Sequence, residues 1–158
     1  FQQELRKFLM MNGKGKVMKN KGFFKFNFSV EHENHLNTHA IAKACEDMAK
    51  TKTGAIMVVT QMDDLAVFAE GGVEMNAEIS IPMIESIFYK NSPLHDGAVI
   101  IRNNKIISAR CVLPVSNNED FPGHLGMRHR AAVGITEESD AVAIIVSEET
   151  GEITYVKD

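Results

Sequence analysis

Two short segments of this chain carry residue types that suit phosphate chemistry. The first, residues 94–98 (LHDGA), places an imidazole and a carboxylate beside a glycine. The second, residues 126–130 (GMRHR), places two guanidinium groups around another imidazole. A carboxylate can hold a divalent cation, and an arginine fork matches the spacing of phosphate oxygens. Together these are the groups that phosphoryl or nucleotidyl transfer needs.

Asp96 is the first candidate for a functional residue. It follows His95 and precedes Gly97, just before a predicted strand. Most Asp-Gly pairs only turn the chain. In the alternative interpretation, Asp96 binds Mg²⁺ or Mn²⁺ and Gly97 lets a base or phosphate lie against the backbone. Taken alone, the pair leaves both interpretations open.

Arg128 and Arg130 lie near the start of a predicted helix, after the glycine-containing stretch 122–126. The first turn of a helix offers backbone N–H groups to an anion, and arginines there can add bidentate phosphate contacts. The alternative is a structural ion-pair cluster with the acidic residues at 137–140. The glycines that lead into the arginines favour a phosphate site.

Two further groups of polar residues have a structural and a functional interpretation. Glu148 and Glu149 end an apolar strand, where paired carboxylates are usually turn residues but can contact a metal or a ribose. His32, His35 and His39 have a spacing that suits a transition metal, although their acidic, polar surroundings favour a solvated helix face. The sequence contains no Walker motif, no G-x-G-x-x-G and no G-x-S-x-G.

Length, composition and charge narrow the class of protein. The 158 residues, 44% hydrophobic and 24% charged, fit one globular domain. Residues 1–26 hold seven basic residues and one acidic residue, whereas the remainder holds ten basic and twenty acidic residues. The bulk of the chain therefore offers no broad basic face to a nucleic acid. No apolar run approaches the roughly 20 residues of a membrane span, and two distant cysteines, Cys45 and Cys111, are expected to be reduced.

Hydrophobic periodicity predicts an α/β domain with a mixed sheet. Helices are expected over residues 1–11, 35–50, a segment capped by Ser80, and 128–133. Strands are expected over 54–59, 65–68, 98–101, 106–113, 141–147 and 153–156. Asn103 and Asn104 form the predicted two-residue turn of a hairpin. Residues 13–22 are expected to be a lysine-rich connector, and the phenylalanines of 23–28 are expected to pack in the core or on an edge strand.

The two segments resemble motifs of the diadenylate cyclase domain, and most closely those of its membrane-anchored CdaA type. Residues 91–93 (NSP) before the first segment and 147–149 (SEE) near the end of the chain are part of the resemblance. It extends over nearly the whole chain, including residues 1–6, which in that type follow the membrane helices. It implies one globular α/β domain with a central mixed β-sheet flanked by helices. The chain would divide into an N-terminal helix and basic connector, 1–22, and a cyclase catalytic domain, 23–158.

The resemblance implies an enzyme that condenses two ATP molecules into cyclic di-AMP and two pyrophosphates. Each ribose 3′-oxygen must attack the α-phosphorus of the other ATP, so two sites must face each other in a homodimer. A divalent metal (Mn²⁺, Co²⁺ or Mg²⁺) is the implied cofactor. We expect no nucleic-acid partner. The chain, which begins with Phe1, is expected to be the cytoplasmic catalytic fragment of a membrane-anchored parent.

The resemblance also implies roles for individual residues. Asp96 would bind the metal and help to activate the 3′-hydroxyl, with His95 as a candidate metal ligand. The other substrate-contacting residues would be Gly97 and Ala98 in the pocket wall, Leu113 near the adenine, Arg128, His129 and Arg130 on the triphosphate, and Glu149 at the metal or nucleotide. Arg128, His129 and Arg130 would also offset charge on the leaving pyrophosphate.

Met127 departs from the pattern of the family, which often has threonine at this substrate-binding position. The exchange removes a hydroxyl contact and affects the rate and the phosphate pose, not the reaction class. A second hypothesis is a non-catalytic regulatory module that senses ATP or cyclic di-AMP. Such a module would keep the arginines but could dispense with Asp96. The presence of this carboxylate favours the enzyme.

Overall fold

The computed structural model describes residues 15–19, 36–119, 123 and 125–157. The strands of these ranges are β1 (Gly15–Lys19), β2 (Ala55–Val59), β3 (Val73–Glu78), β4 (Ala98–Arg102), β5 (Lys105–Cys111), β6 (Val142–Val146) and β7 (Ile153–Lys157). Their helices are α1 (Thr38–Lys50), α2 (Ala66–Glu70), α3 (Ile81–Phe88) and α4 (Met127–Glu138). No helix among them is long and apolar enough to cross a membrane.

The described strands form one mixed sheet in the order β1-β7-β6-β2-β4-β5-β3. At its centre, β2 pairs in parallel with β4 and antiparallel with β6. The pair β1–β7 is also parallel, and the remaining neighbours are antiparallel. The predicted α/β domain with a central mixed sheet flanked by helices is therefore confirmed.

Helices cover both faces of the sheet, which explains why its central strands are apolar throughout. Side chains alternate along β2: Met57 joins the core beneath α1 and α3, whereas Ile56 and Val58 join the core beneath α2 and α4. Cys45 lies in the first core and Cys111 in the second, and both are buried and free. The expectation of reduced cysteines agrees with this placement.

Local signals in the sequence account for several element ends. The Ser80 side chain accepts a hydrogen bond from the Met83 N–H (3.2 Å) and so caps α3. Asn103 and Asn104 have φ angles of 52° and 60°, as the tight turn between β4 and β5 requires. Both features were predicted, because asparagine tolerates this left-handed backbone conformation and serine is a good N-cap.

The predicted strand over residues 65–68 is wrong, because this segment begins helix α2. Leu65 has a left-handed φ of 50°, which ends the extended chain. The Asp63 and Asp64 carboxylates accept hydrogen bonds from the N–H groups of Leu65 (3.1 Å) and Ala66 (3.0 Å). These local hydrogen bonds turn the backbone into a helix where a short apolar run alone is ambiguous.

Two strands were not expected from the sequence. Strand β3 has an exposed, interrupted pattern, with Asn76 at a φ of 45° and a shift in its pairing with β5. Strand β1 lies within the predicted connector and pairs with β7. The predicted helix over 1–11, the phenylalanines of 23–28, His32 and His35 lie outside the described residues. The domain boundary at residue 22 stays a prediction.

Candidate functional site

The residues predicted to do chemistry gather at one edge of the sheet, which we call the site edge. It comprises the amino ends of β2 and β4 and the carboxyl ends of β5 and β6. Strands β2 and β4 are parallel and Met57 pairs with Val99, so Gly54 and Asp96, which precede the two strands, lie at the same edge. Ala55 pairs with Val146, so the turn after β6 begins at the same edge. The sheet thus joins segments that are distant in sequence.

Asp96 lies on the loop before β4 and is exposed. The neighbouring His95 is half-buried, and its Nδ1 donates a hydrogen bond to the Ser92 carbonyl oxygen (2.6 Å). A carbonyl can only accept, so Nδ1 carries a proton and Nε2 is the ring nitrogen left to face a ligand. This arrangement is typical of a histidine that ligates a metal through its other nitrogen.

Gly97 allows the loop to join the sheet closely. Its φ of 143° suits glycine, and a Cβ at this position would lie 2.7 Å from the backbone carbonyl carbon of Arg110. Arg110 itself has a left-handed φ of 55°, next to an irregularity in the pairing of β4 and β5. The missing side chain therefore makes room for β5. Ala98, the first residue of β4, is buried in the core.

Helix α4 begins at the site edge with its arginines in the first turn. Gly126 occupies the N-cap and gives the helix no side-chain cap. The first N–H groups of any helix lack carbonyl partners within it, and the helix dipole is positive at this end. Arg128 and Arg130 are half-buried here, and the Met127 side chain is 66% exposed. The arrangement favours an anionic group at this helix end.

Arg128 contacts two segments at the site edge, the turn after β6 and the residue before β2. Its Nη1 forms an ion pair with Glu148 Oε1 (3.3 Å), with the two side chains 27% and 63% exposed. Its guanidinium also covers Gly54, where an added Cβ would lie 2.6 Å from Cζ and Nη1. The residue paired with Arg128 is Glu148. Glu149 is exposed in the turn, and its N–H donates to Ser147 Oγ (3.2 Å).

Two other predicted site residues are buried. His129 is 6% exposed, one turn of α4 before the buried Val133. Leu113 is 7% exposed and packs with Val133 in the core between α4 and the sheet. The segment that carries Leu113 is tied to α4 by the Ser116 N–H, which donates to the Arg130 carbonyl oxygen (3.2 Å). Leu113 is therefore positioned by core packing, and His129 is buried on the helix that packs against it.

The potential metal ligands are few. Across the described ranges, no group of three or more histidine, cysteine or acidic side chains is close enough to hold a metal ion. Asp96 and His95 would supply at most two protein ligands. Such a sparse set fits Mg²⁺-like ions in nucleotide enzymes, which take one or two carboxylates and complete their shell with phosphate oxygens and water. The residues therefore fit a metal that arrives with a nucleotide.

Sequence reasoning missed the contact between Gly54 and Arg128, and it carried Glu149 forward instead of Glu148. No local signal identifies Gly54, since the sequence shows only a small residue before an apolar run. The strand pairings and the packing of α4 bring the three residues together. For Glu148, the paired carboxylates were visible, but which of them faces the arginine depends on the turn.

Comparison with known proteins identifies the family. A family model described as "DAC: DisA bacterial checkpoint controller nucleotide-binding" matches residues 42–158. Cyclic di-AMP synthase CdaA of Bacillus subtilis is 41% identical over 99% of this chain, and a diadenylate cyclase of Listeria monocytogenes is 43% identical over the same share. The chain spans 56% of the length of each of these relatives.

Solved structures agree with the sequence relationship. A crystal structure of DacA from Staphylococcus aureus, a double mutant, is 44% identical with a TM-score of 0.75 and covers 76% of this chain and 80% of its own. A hypothetical membrane spanning protein from Bacillus cereus is 41% identical with a TM-score of 0.73, covering 76% of this chain and 59% of its own. The chain belongs to the DAC family of nucleotide-binding domains, as its resemblance to the diadenylate cyclase domain indicated.

Proposed function

We propose that this chain is the catalytic domain of a diadenylate cyclase, which condenses two ATP molecules into cyclic di-AMP and two pyrophosphates. The observation that carries the proposal is that Asp96 and the end of α4 that holds Arg128 lie at the same edge of the sheet. The names of the relatives support it: several are diadenylate cyclases or cyclic di-AMP synthases with 41–43% identity.

The proposed reaction is two in-line displacements. In each, a bond forms between a ribose 3′-oxygen and the α-phosphorus of the other ATP, and the bond from that phosphorus to the β-phosphate oxygen breaks. Pyrophosphate leaves, and the proton of the 3′-hydroxyl must be removed. The exposed Asp96 carboxylate is the proposed acceptor of this proton. Because each nucleotide attacks the other, we propose a homodimer with facing sites.

Positive charge at the start of α4 suits the leaving group. Arg128 and Arg130 bring fixed charge to the helix end, where the triphosphate would lie. Charge develops on pyrophosphate in the transition state, so preorganised cations there lower the barrier. His129, Gly97, Ala98, Leu113, Met127 and Glu149 remain proposed substrate contacts. For the buried Ala98, His129 and Leu113, the proposed contribution is to the shape of the pocket.

We also propose dependence on a divalent cation: Mn²⁺, Co²⁺ or Mg²⁺. Such an ion, when bound, neutralises phosphate charge and orients the reacting groups. Asp96 and His95 Nε2 would hold it on the protein side. Membrane anchorage through a segment of the parent protein and a cytoplasmic catalytic domain remain proposals. In an anchored parent, high local concentration would favour the facing dimer.

The direct test is product identity. The dimer-competent parent protein is incubated with ATP and each of the three cations, and products are identified by mass spectrometry. We expect cyclic di-AMP and pyrophosphate in a 1:2 ratio. Calorimetric binding of ATP without any product would instead support the regulatory module, and neither binding nor product would contradict both hypotheses.

A further inference from the structure

We infer that Glu148 and Gly54 are positioning residues that fix the Arg128 guanidinium for the reaction, an inference that rests on the proposed function. Neither is assigned to substrate contact. Glu148 pairs with Nη1 from the turn after β6, and Gly54, just before β2, has no side chain where the guanidinium lies. The guanidinium is thus restrained by Glu148 at Nη1 and by the close approach to Gly54.

The Arg128 guanidinium occupies the space that a side chain at residue 54 would need. An added Cβ would lie 2.6 Å from Arg128 Cζ and Nη1 and 2.8 Å from Nη2, well inside contact distance. The nearest atoms belong to the end of a flexible side chain, so a substitution there displaces the guanidinium and leaves the sheet intact. Gly54→Ala is therefore a specific way to move Arg128.

The ion pair restrains the same guanidinium from another direction. Glu148 approaches only Nη1, and an arginine has five N–H donors, so the guanidinium keeps capacity for phosphate oxygens. The Glu148 side chain is 63% exposed, and exposed ion pairs add little to stability. Its main consequence is the orientation of Arg128, to which in-line transfer is sensitive.

Positioning and direct contact predict different kinetics. Without Glu148 or with an alanine at residue 54, Arg128 keeps its charge near the triphosphate, so ground-state binding persists. Orientation matters where charge develops on pyrophosphate. We expect Glu148→Gln and Gly54→Ala each to lower kcat on the order of tenfold. The KM for ATP should change less than about threefold, because uniform binding is retained.

Double-mutant cycles test whether both residues act through Arg128. In an Arg128→Lys background, Glu148→Gln and Gly54→Ala should have little further effect on kcat. The Glu148→Gln, Gly54→Ala double variant should lose less than the product of the single losses, a cycle that does not require an Arg128 variant. Glu138→Gln, the same charge change at the exposed end of α4, is the control and should leave turnover unchanged.

A readout without turnover separates this inference from the proposed function. The side-chain Nε–H resonance of Arg128 in ¹⁵N-labelled protein should shift in Glu148→Gln and Gly54→Ala but not in Glu138→Gln. If the wild type makes no cyclic di-AMP, the proposed function fails. The resonance still shows whether Glu148 and Gly54 fix the Arg128 guanidinium. Unchanged kcat, multiplicative losses in the cycles, or an unmoved resonance would each overturn the positioning role.

Discussion

Two aspartates at opposite edges of the same sheet have opposite surroundings. Asp96, at the site edge, is exposed, and in the described part of the chain it has no hydrogen-bond or ion-pair partner. Asp140, just before β6 at the other edge, accepts hydrogen bonds from Thr60 Oγ1 (3.0 Å) and from the N–H groups of Met62 (2.8 Å) and Asp63 (3.3 Å). A carboxylate satisfied by the protein stabilises a loop, whereas an unsatisfied one is available to a ligand.

Substitution of Asp96 should have the largest effect on cyclic di-AMP synthesis. Asp96→Asn removes the charge that would hold a cation and should lower cyclic di-AMP synthesis by at least on the order of 10²-fold. Because the side chain has no structural partner in the described ranges, unfolding free energy should change by less than about 0.5 kcal/mol. Turnover and thermal unfolding of the same preparation check both parts. A large loss of stability would show that Asp96 has a structural role instead.

At the other edge, substitution of Asp140 should lower stability and leave turnover nearly unchanged. Asp140→Ala removes the acceptor of three hydrogen bonds, so the free energy of unfolding should fall by about 1–2 kcal/mol. Turnover at a temperature where the variant is folded should stay within about twofold. Urea unfolding monitored by circular dichroism measures the first effect. Glu138→Ala, an exposed change nearby, is the control and should change stability by less than about 0.5 kcal/mol.

The pH dependence of stability sharpens the same contrast. Burial raises the pKa of Asp140, but hydrogen bonds from Met62, Thr60 and Asp63 outweigh it, so the pKa lies below its ordinary value. A carboxyl with a lowered folded-state pKa stabilises the protein above its unfolded pKa of about 4, and that stability is lost as pH falls below it. The stability gap between wild type and Asp140→Ala should therefore shrink below about pH 4. A gap that stays constant down to pH 2 would contradict this.

Met127 should give the smallest effect. Its side chain is 66% exposed at the first position of α4, so Met127→Thr should barely alter stability. The new hydroxyl can donate one hydrogen bond to a phosphate, worth roughly 0.5–1.5 kcal/mol, or about 2- to 10-fold in kcat/KM. Steady-state kinetics with ATP measure the change. A decrease in kcat/KM would mean that methionine itself suits this pocket.

The sequence was sufficient where local physics decides the structure. The apolar run of β2, the amphipathic pattern of α1 and the Asn103-Asn104 turn each have one stable arrangement, and all three were predicted. The segment after Leu65 was not, because its four apolar residues suit either element and two aspartates decide for the helix. Strand β3 was missed since its exposed edge position and bulge erase the alternating pattern.

For the site, the sequence identified the residue types but not their contacts. Asp96 and Arg128 were predicted as site residues because both are in motifs with a chemical rationale. The cover of Gly54 by Arg128 depends on the packing of α4 against the sheet, which no local pattern encodes. The preference of Arg128 for Glu148 over Glu149 depends on the turn after β6. Tertiary packing therefore determined what the residues alone left open.

The most direct test of the central claim compares the products of three proteins. The protein, its Asp96→Asn variant and its Asp140→Ala variant are each incubated with ATP and Mn²⁺, and products are measured by mass spectrometry. We expect cyclic di-AMP from the wild type and from Asp140→Ala, and at most about one hundredth of that amount from Asp96→Asn. No cyclic di-AMP from the wild type, or equal amounts from Asp96→Asn, would contradict the account.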